Sequence, residues 1–403
     1  MAHTMKRIYL VLVAAIGLTL TFECKSPYIV PATAGSVNYL HVEGFINTAG
    51  DTTVITLSRT VKLTDSVGSN PELHAAVSVV GNDGAHYALT ETGKGNYIYP
   101  DFSSLSNTGK QYSLKIVTSD GKIYQSDFVP VKNSPPIDSL SFQANANGIQ
   151  IYSSTHDPSN NTRYYRWDYS ETWIHFSYFQ STQEVHITPS DTTIIDRLSA
   201  DQIYTCWVTQ SSSTLVLNSS AKLSRDIIEQ NPITSIGPLS PKFAVEYSIL
   251  VSQYALTGDA FNYWENLKKN TEQLGSIFDA LPSEIQGNIH CISNPSFPVL
   301  GYVSAGLVAK KRLFIGGSAM PRALGTQIPS DYGGCKLDTF YFKDPVTHLD
   351  DIKRLYYGNP LPVGYLLEPF TGIKDYTGSS SFCVDCRLDG GTNQRPSFWV
   401  DKL

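Results

Sequence analysis

The most specific chemistry this chain offers belongs to its cysteines. Cys24 follows an apolar run, Ile8 to Phe22, that opens on Lys6 and Arg7. A thiol in that place is what the bacterial lipoprotein pathway acylates, so residues 1–23 are expected to be a removed signal peptide and Cys24 the lipidation site. Glu23 occupies the place where a small residue usually precedes such a cysteine. The apolar run is too short to be a dependable membrane span. Further on, Cys383-Val384-Asp385-Cys386 has the spacing of half a zinc site, but no second close pair completes it. Disulfide bonding in an oxidising compartment is the expected use instead. Beyond Cys24 the cysteines are odd in number: Cys206, Cys291, Cys335, Cys383 and Cys386. Cys206 is expected to be the free one, because Tyr204 to Val208 reads as a buried strand. Cys291, Cys335, Cys383 and Cys386 then pair in one of three connectivities.

Other candidate chemistry is weaker. In Arg163 to Tyr169, one face carries Tyr165, Trp167 and Tyr169, and the other carries Tyr164, Arg166 and Asp168. Alternation of this kind buries half of the rings, and core packing is the ordinary use of the rest. A stacking platform for sugars or another flat ligand, if formed, falls on Trp173, Phe176, Tyr178 and Phe179. Asp157-Pro158-Ser159-Asn160-Asn161 has oxygen donors but lacks the glycine and distal glutamate of a calcium loop, so it reads as a turn. The chain has no Gly-x-Ser-x-Gly elbow, His-Glu-x-x-His, phosphate loop or dinucleotide fingerprint. No catalytic residue, metal site or cofactor is therefore assigned. Dispersed carboxylates are plentiful, and nothing singles out two of them.

The elements that must position these residues are mostly strands. Charged residues make up 16% of the chain, tyrosines number 24 and methionines only 3, the profile of an exported β-rich protein. A net charge of −6 without a basic cluster gives no footprint for nucleic acid. After a tether over 24–36, short alternating runs separated by Asn82-Asp83-Gly84 and Ser119-Asp120-Gly121-Lys122 predict an antiparallel sandwich over 37–132. Asn133-Ser134-Pro135-Pro136 ends it, since consecutive prolines supply no ladder donors. A second sandwich is expected over 137–316, with strands at 287–293, 299–305 and 311–315. Its one amphipathic helix is placed over 259–274, where Ala260, Phe261, Tyr263, Trp264 and Leu267 recur at helical spacing. Residues 317–403 are expected to be irregular and pinned by cysteines on the second domain. The class is mainly β: tandem immunoglobulin-like or fibronectin-III-like antiparallel sandwiches.

Several stretches in order resemble the DUF4249 lipoproteins of Bacteroidota, a domain of unknown function. They are Cys24 to Tyr28, Pro135-Pro136-Ile137-Asp138-Ser139-Leu140, Tyr164-Tyr165-Arg166-Trp167 with Glu171-Thr172-Trp173, Cys206-Trp207, Gly275 to Asp279, Leu300-Gly301-Tyr302, and Cys383 to Leu388 with Pro396, Phe398 and Trp399. The resemblance implies a lipid-anchored outer-membrane protein, often encoded beside TonB-dependent receptors. Lys25-Ser26-Pro27 lacks the acidic residues that usually accompany surface export, so the periplasmic and the outer face both remain open. The expected function is a non-enzymatic binding or accessory partner of a TonB-dependent uptake system, held to the bilayer through Cys24, with its ligand unassigned. The alternatives are a hydrolase of carbohydrate or peptide with dispersed carboxylates, and a purely structural or adhesion module.

Overall fold

The computed structural model describes residues 38–61, 70–100, 109–238, 240–272, 285–316, 333–342, 351–357, 359–368 and 372–401. Cys24 and the expected signal peptide and tether lie outside them. Among the described residues no helix is long and apolar enough to cross a membrane.

The first unit contains β1 (Leu40–Asn47), β2 (Thr53–Arg59), β3 (Asn70–Pro71), β4 (Ala76–Gly81), β5 (His86–Ala88), β6 (Thr90–Gly93), β7 (Asn96–Tyr99), β8 (Gln111–Val117), β9 (Ile123–Ser126) and β10 (Val129–Asn133). Leu40, Val42, Ile46, Ile55 and Leu57 point into one core with Val77, Val79, Leu114 and Ile116. Antiparallel pairing joins β1 to β2 and β2 to β7 in one layer, and β4 to β8 and β8 to β9 in the other. Alternation sorts β1, β2 and β4 into a buried apolar row and a more exposed outer row.

The second unit contains β11 (Ile137–Asn145), β12 (Gly148–Asp157), β13 (Tyr164–Phe176), β14 (Gln183–Ile187), β15 (Thr192–Asp196), β16 (Thr205–Ser211), β17 (Val216–Ser219), β18 (Asp226–Ile236), β19 (Glu246–Leu256) and helix α1 (Gly258–Glu272); after it the chain forms β20 (Ile289–Cys291), β21 (Val299–Gly301) and β22 (Ser304–Gly316). The sheet β11-β12-β18 packs on the sheet of β13, β19 and β22, with Ile149, Ile151 and Ile233 from the first meeting Tyr165, Trp167, Tyr247, Ile249 and Val251 from the second. Thr257 Oγ1 accepts from the Ala260 backbone N–H at 3.2 Å and so starts α1.

One result differs from the sequence expectation. Strands β20 and β21 and the start of β22, expected in the second sandwich, pair with the first. Cys291 lies opposite Tyr124, Val42 opposite Gly301, and Phe45 opposite Ser304. Ile289, Cys291, Val299, Val303 and Ala305 belong to the first core. β22 then runs on beside β19, from Val308 opposite Tyr254 to Gly316 opposite Glu246. At the crossing it passes between β1 and β10. A Cβ on Gly306 there would stand 1.8 Å from the Lys132 carbonyl oxygen, so the close approach needs glycine.

The C-terminal region is also more regular than expected. It forms β23 (Asp338–Tyr341), the short α2 (Lys353–Tyr356), β24 (Leu361–Glu368), β25 (Gly372–Ser379) and the short α3 (Ser381–Val384). β25 pairs with both β23 and β24 over a small core of Phe340, Ile352, Leu355 and Tyr376.

Candidate functional site

The cysteines pair differently from the expectation. Cys206 bonds Cys386, and Cys335 bonds Cys383, while Cys291 is free and buried. Cys206 is buried, but β16 around it is half-buried to exposed, and what covers the cysteine is the C-terminal segment. Trp207 and Thr392 exchange backbone hydrogen bonds of 2.8 and 3.0 Å, which brings Cys386 over β16. Cys291 instead faces the first core, at 2% exposure, beside Tyr124. Within the Cys383–Cys386 pair, each sulfur thus goes to a different partner.

The four rings proposed as a platform do not form one. Trp173 is 9% exposed and belongs to the second core, with Lys242 Nζ 5.0 Å from its ring centre. Phe176 stacks on Tyr204 at 4.8 Å, and Tyr178 meets Phe179 edge-on at 4.8 Å. Phe179 also donates its backbone N–H to the Cys383 carbonyl. Trp173 drops out because β13 is buried from Glu171 to Ile174 and this ring faces the second core. Asp157 ends β12 and holds the turn that follows: its carboxylate accepts from Ser159, Asn161 and Thr162. Burial opposes ionisation of that carboxyl, yet these hydrogen bonds hold it below the usual range. No group of three or more metal-ligating side chains occurs among the described residues.

A different constellation emerges on the outer face of β13, β19 and β22. In register across these strands lie Arg166, Tyr254 and Val308, and two residues along, Asp168, Ser252 and Lys310. Helix α1 covers one end of this face, with Phe261 on Tyr164 at 5.2 Å and Trp264 over Arg166. The C-terminal segment covers the other end, with Phe398 over Arg312 at 3.6 Å and Trp399 against Phe314 at 5.5 Å. Between the two covers a groove of about 350 Å³ stays open. Its opposite wall is the outer row of the first unit, Glu43 and Phe45 from β1 and Val54 and Thr56 from β2. Phe45 meets Tyr254 edge-on at 5.0 Å, which joins the two walls at the floor.

Arg166 is the centre of this groove. Its guanidinium lies between the rings of Tyr254 at 4.5 Å and Trp264 at 4.3 Å, so both flat faces are covered. One edge donates to Asp168 Oδ2 at 3.0 Å, and the buried Nε makes no hydrogen bond. Lys310 pairs with Asp51 at 2.7 Å at the rim. Burial pushes the Tyr254 phenol up to about 12, the nearby Asp168 charge adding to it and Arg166 opposing. Tyr254 is therefore a neutral hydroxyl at any physiological pH.

These residues were partly visible in the sequence. Tyr164, Arg166 and Asp168 stand out as the polar face of an aromatic strand, but β1, β19, β22 and α1 converge on them only through long-range pairing. Trp264, expected on the core face of its helix with Tyr263, covers Arg166 instead; Tyr263 is the one buried.

No curated protein matches this chain. A family model described as domain of unknown function (DUF4249) matches residues 25–312, a span that includes both walls of the groove. With well over half of its length matched, the chain belongs to the DUF4249 family.

Proposed function

We propose that this protein is a lipid-anchored, non-enzymatic protein of the outer membrane that binds a ligand and serves as accessory partner to a TonB-dependent receptor. The groove around Arg166 is the observation that supports a binding role. It combines covered aromatic rings with a few placed polar groups, the usual composition of a ligand site. The anchor rests on the signal-like start and Cys24. Purification from membranes with the native anchor tests the partnership: a β-barrel protein is expected to accompany the chain, and recovery of the chain alone counts against it. Cys24→Ala is expected to leave the membrane fraction while keeping its fold. If that variant stays membrane-bound, the anchor assignment fails.

Hydrolysis of a glycosidic bond is the second reading, favoured by one observation: Glu43 and Asp168 line the same groove. Glycosidases place two carboxyl groups about the scissile bond, one as acid and the other as base or nucleophile. Asp168 already commits one oxygen to Arg166, which supports binding over catalysis. The open groove supports a binding role over a purely structural or adhesion module.

A further inference from the structure

We infer that the ligand of the Arg166 groove is a neutral, hydroxyl-rich ring compound, a short oligosaccharide; the inference rests on the binding role proposed above and names its substrate class. Three observations carry it.

The first is charge balance. Within the groove the carboxylates of Glu43 and Asp168 face the cations of Arg166 and Lys310, and Lys310 is already paired with Asp51 at the rim. Such a lining has no dominant sign with which to attract a charged ligand. Sites for anions gather several cations without intervening carboxylates, and this groove does the opposite.

The second is the state of the strand edges. An extended peptide is commonly held by adding its backbone to a free strand edge. Here β2 pairs with β1 on one side and β7 on the other, β1 lies between β2 and β21 or β22, and β19 lies between β13 and β22, while β22 has strands on both sides over Ser304–Leu307 and pairs with β19 from Val308 on. Of the strands lining the groove, β1, β2 and β19 therefore offer side chains only.

The third is the shape of those side chains. Carboxylate and guanidinium groups are planar and present two hydrogen-bonding atoms side by side, matching the two oxygens of neighbouring hydroxyls on a sugar ring. Half-buried rings of Phe45 and Trp264 stand beside them to receive the C–H face of such a ring. A volume of about 350 Å³ is near the small end for ligand sites, enough for one or two sugar units with the remainder of the chain outside.

The test is calorimetric titration of the full chain, purified in detergent with its anchor, against cellohexaose, maltohexaose, xylohexaose and mannohexaose. Oligogalacturonate and a tetrapeptide serve as the charged and peptidic counterparts. At least one neutral oligosaccharide is expected to bind. Trp264→Ala and Glu43→Ala should each weaken it by about tenfold or more, since each removes a stacking surface or a charged hydrogen-bond acceptor. Glu43 is exposed and makes no hydrogen bond or ion pair among the described residues, so its variant should unfold at the wild-type temperature. The assignment is overturned if none of the four neutral sugars binds, if only the charged sugar or the peptide binds, or if both variants bind as wild type. Release of new reducing ends that Glu43→Gln abolishes supports the ligand class while overturning the non-enzymatic role. A β-barrel that co-purifies with a chain indifferent to all four sugars leaves the partnership standing and removes only the sugar.

Discussion

Glu171 illustrates how a single buried charge in this protein is made tolerable. It is 5% exposed, and its two carboxylate oxygens accept from Lys242 Nζ at 2.6 Å and from the Tyr247 hydroxyl at 2.7 Å. Burial, with the Glu171 charge beside it, pushes the Tyr247 phenol far above its ordinary range, so it remains a donor. Taking two charges out of water costs several kcal/mol, and the pair is sustained only while every partner is in place. Glu171→Ala is therefore expected to lose roughly 3 kcal/mol, because it leaves Lys242 and the Tyr247 hydroxyl without their acceptor. The measurement is the urea midpoint at unchanged denaturant slope. A loss below about 1 kcal/mol would mean that water reaches Lys242 and the network is a surface pair. Arg166 follows another logic. Rings cover its faces, one edge is paired, and the Nε hydrogen stays unpartnered, which typically costs about 1–3 kcal/mol. Position at the centre of an open groove gives that uncompensated donor a functional sense that Glu171 lacks.

At the level of elements, the C-terminal segment is a cover for β13 and β16 held at three points. Cys206–Cys386 ties it to β16, Cys335–Cys383 ties it to the chain before β23, and His175 Nε2 meets Asp389 Oδ2 at 2.8 Å. Beneath it Trp399 is 4% exposed against Trp207 and Phe314. Replacing both Cys206 and Cys386 with alanine is expected to cost roughly 2–5 kcal/mol. It should also open trypsin cleavage after Arg387 and shift tryptophan emission to the red. If the segment resists trypsin without the bond, ring packing and the Trp207–Thr392 bridge suffice to hold it. The same elements show what a sequence can and cannot disclose. Phe243, Val245, Tyr247, Ile249 and Val251 alternate strictly in the sequence, a pattern that predicts a half-buried strand, and in β19 Tyr247, Ile249 and Val251 are buried. Phe243, at the head of the same pattern, is buried too, but it ends a single 3-10 turn opened by Ser240 and Pro241, and the strand begins at Glu246. Helix α1 was announced by its period and found at Gly258–Glu272. The cysteine pairing was not legible, because burial of Cys206 depends on a segment 180 residues away. Nor was the groove, whose walls come from β1, β2, β13, β19, β22 and α1. Local period fixes which face of a strand is apolar; it carries no information on which distant strand lies alongside.

For the molecule as a whole, the decisive feature is that β22 serves both sandwiches. Its first residues pair in parallel with β1 and β10, and the remainder pairs antiparallel with β19, so one continuous strand crosses the seam above which the groove opens. β20 and β21, also encoded after the second unit, supply Ile289, Cys291 and Val299 to the first core. The two units are therefore contiguous in space but interleaved in the chain, even though β10 ends at Asn133 and β11 begins at Ile137 with two prolines between. A fragment of residues 38–134 lacks those side chains as well as Val303 and Ala305, and it leaves the outer edges of β1 and β9 unpaired. Exposed apolar surface and unpaired strand edges of that kind lead to aggregation rather than folding. The fragment is expected to show neither dispersed amide resonances nor a heat-absorption peak, whereas residues 38–316 should unfold in one calorimetric transition. A sharp independent transition for the short fragment would show that the returning strands decorate a sandwich already complete. Its absence, together with a single transition for the longer chain, means that neither wall of the groove can form without the other, and that ligand binding at the seam stabilises both units together.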